Sequence, residues 1–329
     1  MNILRKIKTR TKVIILALLL AVILFPIVVQ GNAFYVSVAT EIVILAILAI
    51  SFDLLLGYTG IVSMGHAMFF GTGAYMTAIL MVRYNWNFFA TLPFVVLACA
   101  FLSIVVGFLT LRVKKIYFAM MTMALGQLFF ILVITNRNLT GGEDGLAGVP
   151  PLIRDRVTLF FVAVAVLAIV YYVVRRITLS PTGKVLQAIR ENEVRTSMIG
   201  YNVLLYKIII ITISGVLAGL AGSFFVTYIG VAYAELMHAI MTIQVIFMTV
   251  IGGAGTLFGS VIGAFLVRTT STVLGTFTNR WMLILGIMFV VFIMFLPGGI
   301  ASIRLKFLKK IGFIQRLGKG KEKSDDASD

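Results

Sequence analysis

Residues 88–111 read FFATLPFVVLACAFLSIVVGFLTL and residues 116–135 read IYFAMMTMALGQLFFILVIT, and neither stretch contains a charged residue. At about 1.5 Å of helical rise per residue, each is long enough to cross the ~30 Å hydrocarbon layer of a bilayer. Over the 329 residues, 60% are hydrophobic and 12% are charged, against ~25% charged in ordinary soluble domains. The sequence therefore predicts an all-α, polytopic membrane protein and excludes a disordered chain or an ordinary soluble enzyme.

Apolar runs of similar length recur along the chain and predict about ten transmembrane helices. Eight is the fallback count, because the runs 236–251 and 281–297 are short. Of the Lys and Arg residues between the runs, 22 fall in the loops of one side and 5 in those of the other. Because basic loops stay in the cytosol, both termini are predicted to be cytosolic. The ten runs are 13–29, 40–57, 64–83, 88–111, 116–135, 157–174, 207–228, 236–251, 257–275 and 281–297.

The same pattern divides the chain into three regions. Residues 1–12 form a basic cytosolic N-terminus, residues 13–300 the transmembrane domain, and residues 301–329 a basic amphipathic cytosolic tail with a disordered acidic end. The tail is predicted to contact anionic lipid of the inner leaflet, with a purely topogenic tail as the alternative. A cleaved signal peptide would remove the first run and break the parity of the charge division.

Composition also limits the ligands of this chain. The basic residues cluster between apolar runs and not on one aromatic-interleaved face, so nucleic acid is not a predicted partner. Cys99 is the only cysteine, and the chain has only two histidines, so neither an intrachain disulfide nor a metal site is predicted. No G-x-x-x-x-G-K-S/T phosphate loop occurs, and no cofactor is expected on this chain.

Polar side chains inside or beside the apolar runs are candidates for a path across the membrane. A charge in hydrocarbon is costly, and by default it faces the bundle interior or a wet cavity. Asp53 lies near the inner end of its run and could instead reach interfacial water, whereas the deeper Arg268 is expected to have an interior partner. The candidates are Asp53, Ser63, His66, Gln127, Gln244 and Arg268.

Three glycine-rich stretches, 57–73, 140–148 and 252–263, interrupt the apolar pattern. The first and third are typical of close helix packing or of a helix broken beside a cavity. The middle one lies in a predicted outer loop, 136–156, and loops of that length are uncommon unless they are functional or disordered. A docking surface and a merely solvated loop both remain open for it. The candidate docking residues are Gly141, Gly142, Glu143, Asp144 and Gly145.

The most informative segment is the predicted cytosolic loop 175–207. Pro181 and Gly200 bracket about fifteen helix-compatible residues, which predict a short amphipathic helix. A helix that projects from the membrane can be held in the cleft of another protein. The candidate contact residues are Lys184, Arg190, Glu191, Glu193 and Gly200.

Five stretches, in this order along the chain, resemble the permeases of ABC importers for branched-chain amino acids, of the LivM type. They are SFDLLLGYTGIVSMGHAMFFGTGAY (51–75), LTGGEDGL (139–146), SPTGKVLQAIRENEVRTSMIGYN (180–202), GVLAGLAGSFF (215–225) and GGAGTLFGSVIGAF (252–265). The resemblance implies a type II-like permease fold in a prokaryotic plasma (inner) membrane. Many relatives have paired alanines shortly after the second glutamate of the third stretch, where this chain has Arg195 and Thr196.

The resemblance also implies an assembly. Its members would be a second related permease, two cytosolic ATPases that hold ATP and Mg, and an extracytoplasmic solute-binding protein. Residues 184–200 would then be the segment that engages the ATPases. A related importer for urea, a sugar or another small solute is one alternative. An ion-coupled secondary transporter is another, and in that case the loop 175–207 would have no ATPase to contact.

Reporter fusions test the predicted orientation. Fusions after residues 35, 145 and 232 should lie outside the cell, and fusions after 113, 190 and 315 should lie inside, because the excess of Lys and Arg stays in the cytosol. A compartment-sensitive reporter measures each position. A single inverted fusion in the central part of the chain would contradict the predicted parity.

Overall fold

The computed structural model describes residues 32–113, 115–278, 280–295 and 298–300. The predicted first run, the basic N-terminus and the basic tail lie outside these residues. The described residues form twelve helices: α1 (Ala33–Asp53), α2 (Ala67–Tyr84), α3 (Phe88–Thr110), α4 (Lys115–Thr135), α5 (Arg137–Thr140), α6 (Arg156–Leu179), α7 (Pro181–Glu191), α8 (Glu193–Met198), α9 (Val203–Ile229), α10 (Ala239–Gly252), α11 (Leu257–Phe277) and α12 (Trp281–Phe295). Two short strands, β1 (Leu146–Ala147) and β2 (Val231–Ala232), form an antiparallel pair.

The predicted all-α, multi-pass membrane fold is confirmed in the described part of the chain, where every predicted run from 40–57 onward overlaps one helix. Six helical segments there are long and apolar enough to cross a membrane, and α10 and α12 are shorter apolar helices. The total of ten crossings and the cytosolic termini stay predictions. The six segments are Ala33–Thr59, Phe88–Thr110, Ile116–Thr135, Arg156–Leu179, Val203–Ile229 and Leu257–Phe277.

Helix α9 is at the centre of the bundle, where it packs against α1, α2 and α3. Its crossing with α2 depends on small residues: Gly73 lies directly against the backbone of Gly219, so that an added Cβ would overlap it. Thr77 donates a hydrogen bond to Ser223 Oγ at 2.9 Å within the same contact. Within lipid, the hydrophobic effect does not drive helices together. Close packing of small residues and hydrogen bonds between hydroxyl groups of neighbouring helices hold them in contact instead.

The chain departs from α-helical geometry between α1 and α2. A π-helical turn (Leu54–Thr59) follows α1, and residues 60–66 are not helical. Backbone groups at membrane depth must find partners within the protein. The Met64 amide donates to the hydroxyl of Thr122 at 3.1 Å, and the Ala67 amide donates to the hydroxyl of Thr242 at 3.0 Å. The first glycine-rich stretch therefore includes a real helix break, whose backbone is hydrogen-bonded by α4 and α10.

The contacts made by the connecting segments place each of them at one of two opposite ends of the bundle. At the first, called the β1–β2 end, β1 pairs with β2, and Tyr228 at the end of α9 donates to the carbonyl of Ser37 at 3.0 Å. At the second, called the α7–α8 end, the π-helical turn and the turn 253–256 lie together with α7. The connections of the described helices alternate between these ends, as consecutive membrane crossings require.

A pair of alanine substitutions tests the close packing of α2 on α9. Gly73→Ala adds a methyl group that meets the Gly219 backbone, and we expect a destabilisation of about 1–3 kcal/mol, as for other overpacked cores. Gly286→Ala is the matched control: it lies inside α12 with no atom within 4 Å of an added Cβ, and it should be neutral or stabilising by up to about 1 kcal/mol. Thermal unfolding of the purified chain in detergent measures both. Equal melting temperatures for the two variants would contradict the packing.

Candidate functional site: a charged cavity and the contacts of α7

A cavity of about 380 Å³ lies between α1, α9, α10, α11 and the start of α12, next to β2. Apolar side chains that include Leu45, Phe225 and Met241 form part of its wall. Two of the predicted path residues, Gln244 and Arg268, line it together. The polar lining residues are Glu41, Tyr228, Tyr233, Glu235, His238, Gln244 and Arg268.

Glu41 of α1 is the interior partner of Arg268 of α11. The guanidinium Nη2 donates to Glu41 Oε2 at 2.7 Å, and the two side chains are 32% (Arg268) and 11% (Glu41) exposed. The Nε of Arg268 is buried without a hydrogen-bond partner among the described residues. The pair is therefore a partly buried charge contact in which one arginine N–H, the buried Nε, has no partner among the described residues.

The end of the cavity next to β2, called the mouth, is lined by the segment that follows β2. Tyr233 and Glu235 line it, and Glu235 is exposed. Burial raises the pKa of Tyr233, and the negative charge of Glu41 raises it further. The Tyr233 hydroxyl consequently remains protonated at neutral pH and can donate a hydrogen bond at the mouth.

The predicted docking loop lies directly beside this mouth. Gly141, Gly142 and Gly145 have positive φ angles of 83°, 69° and 73°, a conformation that favours glycine, and Gly145 packs against the Ala232 carbonyl of β2. The side chains between them, Glu143 and Asp144, are exposed. The loop thus presents two carboxylates to solvent while its backbone is attached to the cavity mouth.

At the α7–α8 end, Asp53 holds three elements together. Its Oδ1 accepts a hydrogen bond from the Gly255 amide at 2.7 Å, in the turn between α10 and α11. Gly57 of the π-helical turn packs against both of these groups, so closely that a Cβ would overlap them. Arg190 of α7 donates a hydrogen bond to the carbonyl of Gly57 and also lies beside Gly60 and Gly255. Arg190 therefore connects α7 to the ends of α1 and α11 that lie at the α7–α8 end of the bundle.

The remaining predicted path residues do not line the cavity. Ser63 is buried, and His66 is fully buried with its Nε2 hydrogen-bonded to Ser51 Oγ at 2.9 Å. Both belong to the break between α1 and α2, whereas Gln127 is exposed on α4 among apolar side chains. Together with Asp53 at the α7–α8 end, the six candidates therefore fall into four separate environments.

The segment 181–200 forms two helices and not the predicted continuous helix. Asn192 is extended, with φ −157° and ψ 104°, and its side chain accepts the Arg195 amide at 2.9 Å, which caps α8. Ser180 caps α7 and Pro181 occupies its first turn. An asparagine that caps a new helix competes with continuation of the preceding one, and this explains the break.

The apolar side chains of α7 are buried, whereas those at the end of α8 are exposed. Ile189 of α7 is 2% exposed and packs with Val185 and Val203. Met198 and Ile199, at the end of α8, are 81% and 70% exposed. The apolar face of α7 therefore attaches the pair to the bundle, while α8 presents apolar side chains to solvent.

The other predicted contact residues lie on α7, on α8 and directly after α8. Lys184 and Glu191 are exposed, and Glu193 Oε1 pairs with Lys207 Nζ of α9 at 2.6 Å. Gly200 has a φ of 97°, which permits the sharp exit from α8.

The sequence analysis missed Glu41 and Glu235. Glu41 could have been found, because it is an acidic residue inside an apolar run, the same signal that identified Asp53. Glu235 lies next to a predicted run and has no distinguishing pattern. The connection between Arg190 and Gly57, 133 residues apart, has no local signal at all.

Comparison with known proteins identifies the family. Residues 34–293 match the family described as branched-chain amino acid transport system / permease component. The chain is 27% identical to the high-affinity branched-chain amino acid transport system permease protein LivM of Salmonella typhimurium and of Escherichia coli, and each alignment covers 91% of this chain and 77% of the relative. No solved structure matches the chain significantly. Since the family match covers most of its length, this chain belongs to the family of permease components of branched-chain amino acid transport systems.

Proposed function

We propose that this protein is the membrane-spanning permease subunit of an ATP-driven ABC importer that carries branched-chain amino acids across a prokaryotic plasma membrane. It would be a transport subunit and not an enzyme, with ATP and Mg bound by partner subunits. The family match supports the substrate class. The observation that carries the ATP-driven mechanism is the exposed tip of α8 on a helix pair anchored to the bundle through Arg190.

The tip of α8 is suited to a protein partner. Met198 and Ile199 are large apolar side chains exposed beside charged residues, and such a patch with a polar rim is typical of an interaction surface. A cleft in a cytosolic ATPase could hold this short helix by its apolar side chains. Glu191 and Lys184 would lie at the rim of that contact.

Arg190 would transmit movement from the ATPases to the membrane helices. It contacts the π-helical turn after α1 and the turn before α11, and Asp53 joins these two turns. A displacement of α7 would consequently act on α1 and α11 as a unit. Closure of the ATPases would in this way switch the bundle between outward and inward access, as rigid-element shifts do in other transporters.

Two further partners belong to the proposal. A solute-binding protein would dock at the β1–β2 end, where Glu143 and Asp144 are exposed. A second permease would pack against part of the exposed apolar surface of the bundle, and lipid would cover the rest. The exposed face of α4 that carries Gln127 is one such surface.

Uptake by the assembled transporter tests the proposed function. The chain is co-expressed with candidate permease, ATPase and solute-binding subunits from the same genome, and the complex is reconstituted into proteoliposomes. ATP inside the vesicles should drive accumulation of radiolabelled leucine, isoleucine and valine but not of urea or glucose. Leucine accumulation driven by an ion gradient without ATP would contradict the proposal.

Two substitutions should separate assembly from coupling. Met198→Glu would bring a charge into the ATPase cleft, where an unpaired charge is costly, and the ATPases should no longer copurify. Arg190→Gln leaves the α8 tip intact but removes the charged donor to Gly57. The ATPases should still copurify, while leucine uptake per ATP hydrolysed falls about tenfold, the effect of about 1.4 kcal/mol.

Leu139→Glu is the matched control, because Leu139 is also an exposed apolar residue, at 50% exposure, but lies at the β1–β2 end. It should leave ATPase copurification unchanged. Copurification of the ATPases with the Met198→Glu variant, or full coupling in the Arg190→Gln variant, would contradict the assigned roles.

A further inference from the structure

We propose that the cavity between α1, α9, α10 and α11 is a transient binding site for the zwitterion of an aliphatic α-amino acid. Arg268 would bind the carboxylate, and Glu41 would bind the ammonium group. The inference rests on the proposed function and adds to it a defined solute site within this subunit.

The first argument is the unused hydrogen-bonding capacity of Arg268. A guanidinium has five N–H donors arranged to grip a carboxylate with two parallel bonds. Only its Nη2 bond to Glu41 is made within the described residues, and the buried Nε has no partner there. A carboxylate that entered the cavity could use Nε and a neighbouring N–H together.

The second argument is the balance of charge around the cavity. One arginine faces two carboxylates, Glu41 and Glu235. A zwitterion carries one charge of each sign, so it could bring its ammonium group to these carboxylates while its own carboxylate takes the arginine. A simple anion would be repelled by the glutamates, and a simple cation would leave the arginine donor unused.

The third argument is the shape and polarity of the wall. Leu45, Phe225 and Met241 provide an apolar surface beside the ion pair, and burial of a branched aliphatic side chain there is favourable. Ligand sites commonly combine an apolar wall with a few convergent polar groups. The cavity therefore offers separate regions for the two ends of such a solute.

The fourth argument is access. Tyr233 and Glu235 form the mouth directly after β2, and β2 is hydrogen-bonded to β1 of the outer loop. A protein that docked on Glu143 and Asp144 would contact the same loop. The cavity extends to the segment after β2, at the end where a binding protein would release its solute.

The alternative is that Glu41 and Arg268 form a purely structural ion pair. The two roles predict different results for the double variant Glu41→Gln, Arg268→Gln. Removal of one partner leaves a buried charge unpaired, whereas neutral replacement of both is often tolerated in a structural pair. A solute site would lose its function in the double variant as well, because both solute-binding charges are gone.

Leucine uptake by the reconstituted complex measures this difference. We expect Arg268→Gln and the double variant each to raise the KM for leucine at least about tenfold. Arg154→Gln, which removes an exposed arginine at the same end of the bundle, should leave the KM unchanged. Recovery of the native KM in the double variant would overturn the proposal and establish a structural pair.

A second measurement does not depend on transport by the variants. Met241→Cys introduces a thiol into the cavity wall of the complex, and the native Cys99 is fully buried, so the unsubstituted chain gives the background for a membrane-impermeant thiol reagent. Leucine should slow the modification of Cys at position 241, and leucinamide, which lacks the carboxylate, should not. Protection should disappear when Arg268→Gln is added.

The outcomes distinguish this inference from the proposed function. Equal modification rates with and without leucine, while the native complex accumulates leucine, would overturn the solute site and leave the importer function standing. A native complex that accumulates no leucine under ATP would contradict the proposed function itself.

Discussion

Backbone hydrogen bonds within the hydrocarbon layer must be made inside the protein, and the architecture depends on this constraint. Helices meet it locally, which is why they occupy almost every apolar run. Residues 60–66 meet it differently, because hydroxyl groups of Thr122 and Thr242 accept hydrogen bonds from the amides around the break. Since those threonines belong to α4 and α10, the break is stable only in the assembled bundle. The non-helical segment therefore depends on the packing of the whole bundle.

The charged contacts inside the bundle join one helix pair at both of its ends. Glu41 of α1 pairs with Arg268 of α11, and Asp53 of α1 accepts the amide of Gly255 just before α11. Glu41 and Asp53 are twelve residues apart, ~18 Å along the helix. Arg190 attaches α7 near the second of these two points. The α1–α11 pair therefore links the α7–α8 end of the bundle to the cavity through direct contacts.

The break at Asn192 gives the α7–α8 pair two apolar surfaces that face different neighbours. Ile189 is buried against the bundle, and Met198 points to solvent. One continuous amphipathic helix would present a single apolar face, which could contact either the bundle or a partner protein but not both. Division into an anchoring helix and a projecting helix allows the segment to do both. At the opposite end, the loop with the exposed carboxylates is likewise attached to the bundle through β1. Its side chains between Gly142 and Gly145 are exposed to solvent.

The sequence by itself determined the helical membrane class and the position of each long apolar helix from residue 40 onward. Apolar length and charge placement are local properties, and they need no knowledge of packing. The tertiary structure alone decided which polar residues share a site. Gln244 and Arg268 meet Glu41 at one cavity, Asp53 and Arg190 meet at the other end, and His66 is enclosed with Ser51. These groupings join residues far apart in the chain, and they follow from how glycine contacts such as Gly73 on Gly219 set the distances between helices, which no local pattern encodes.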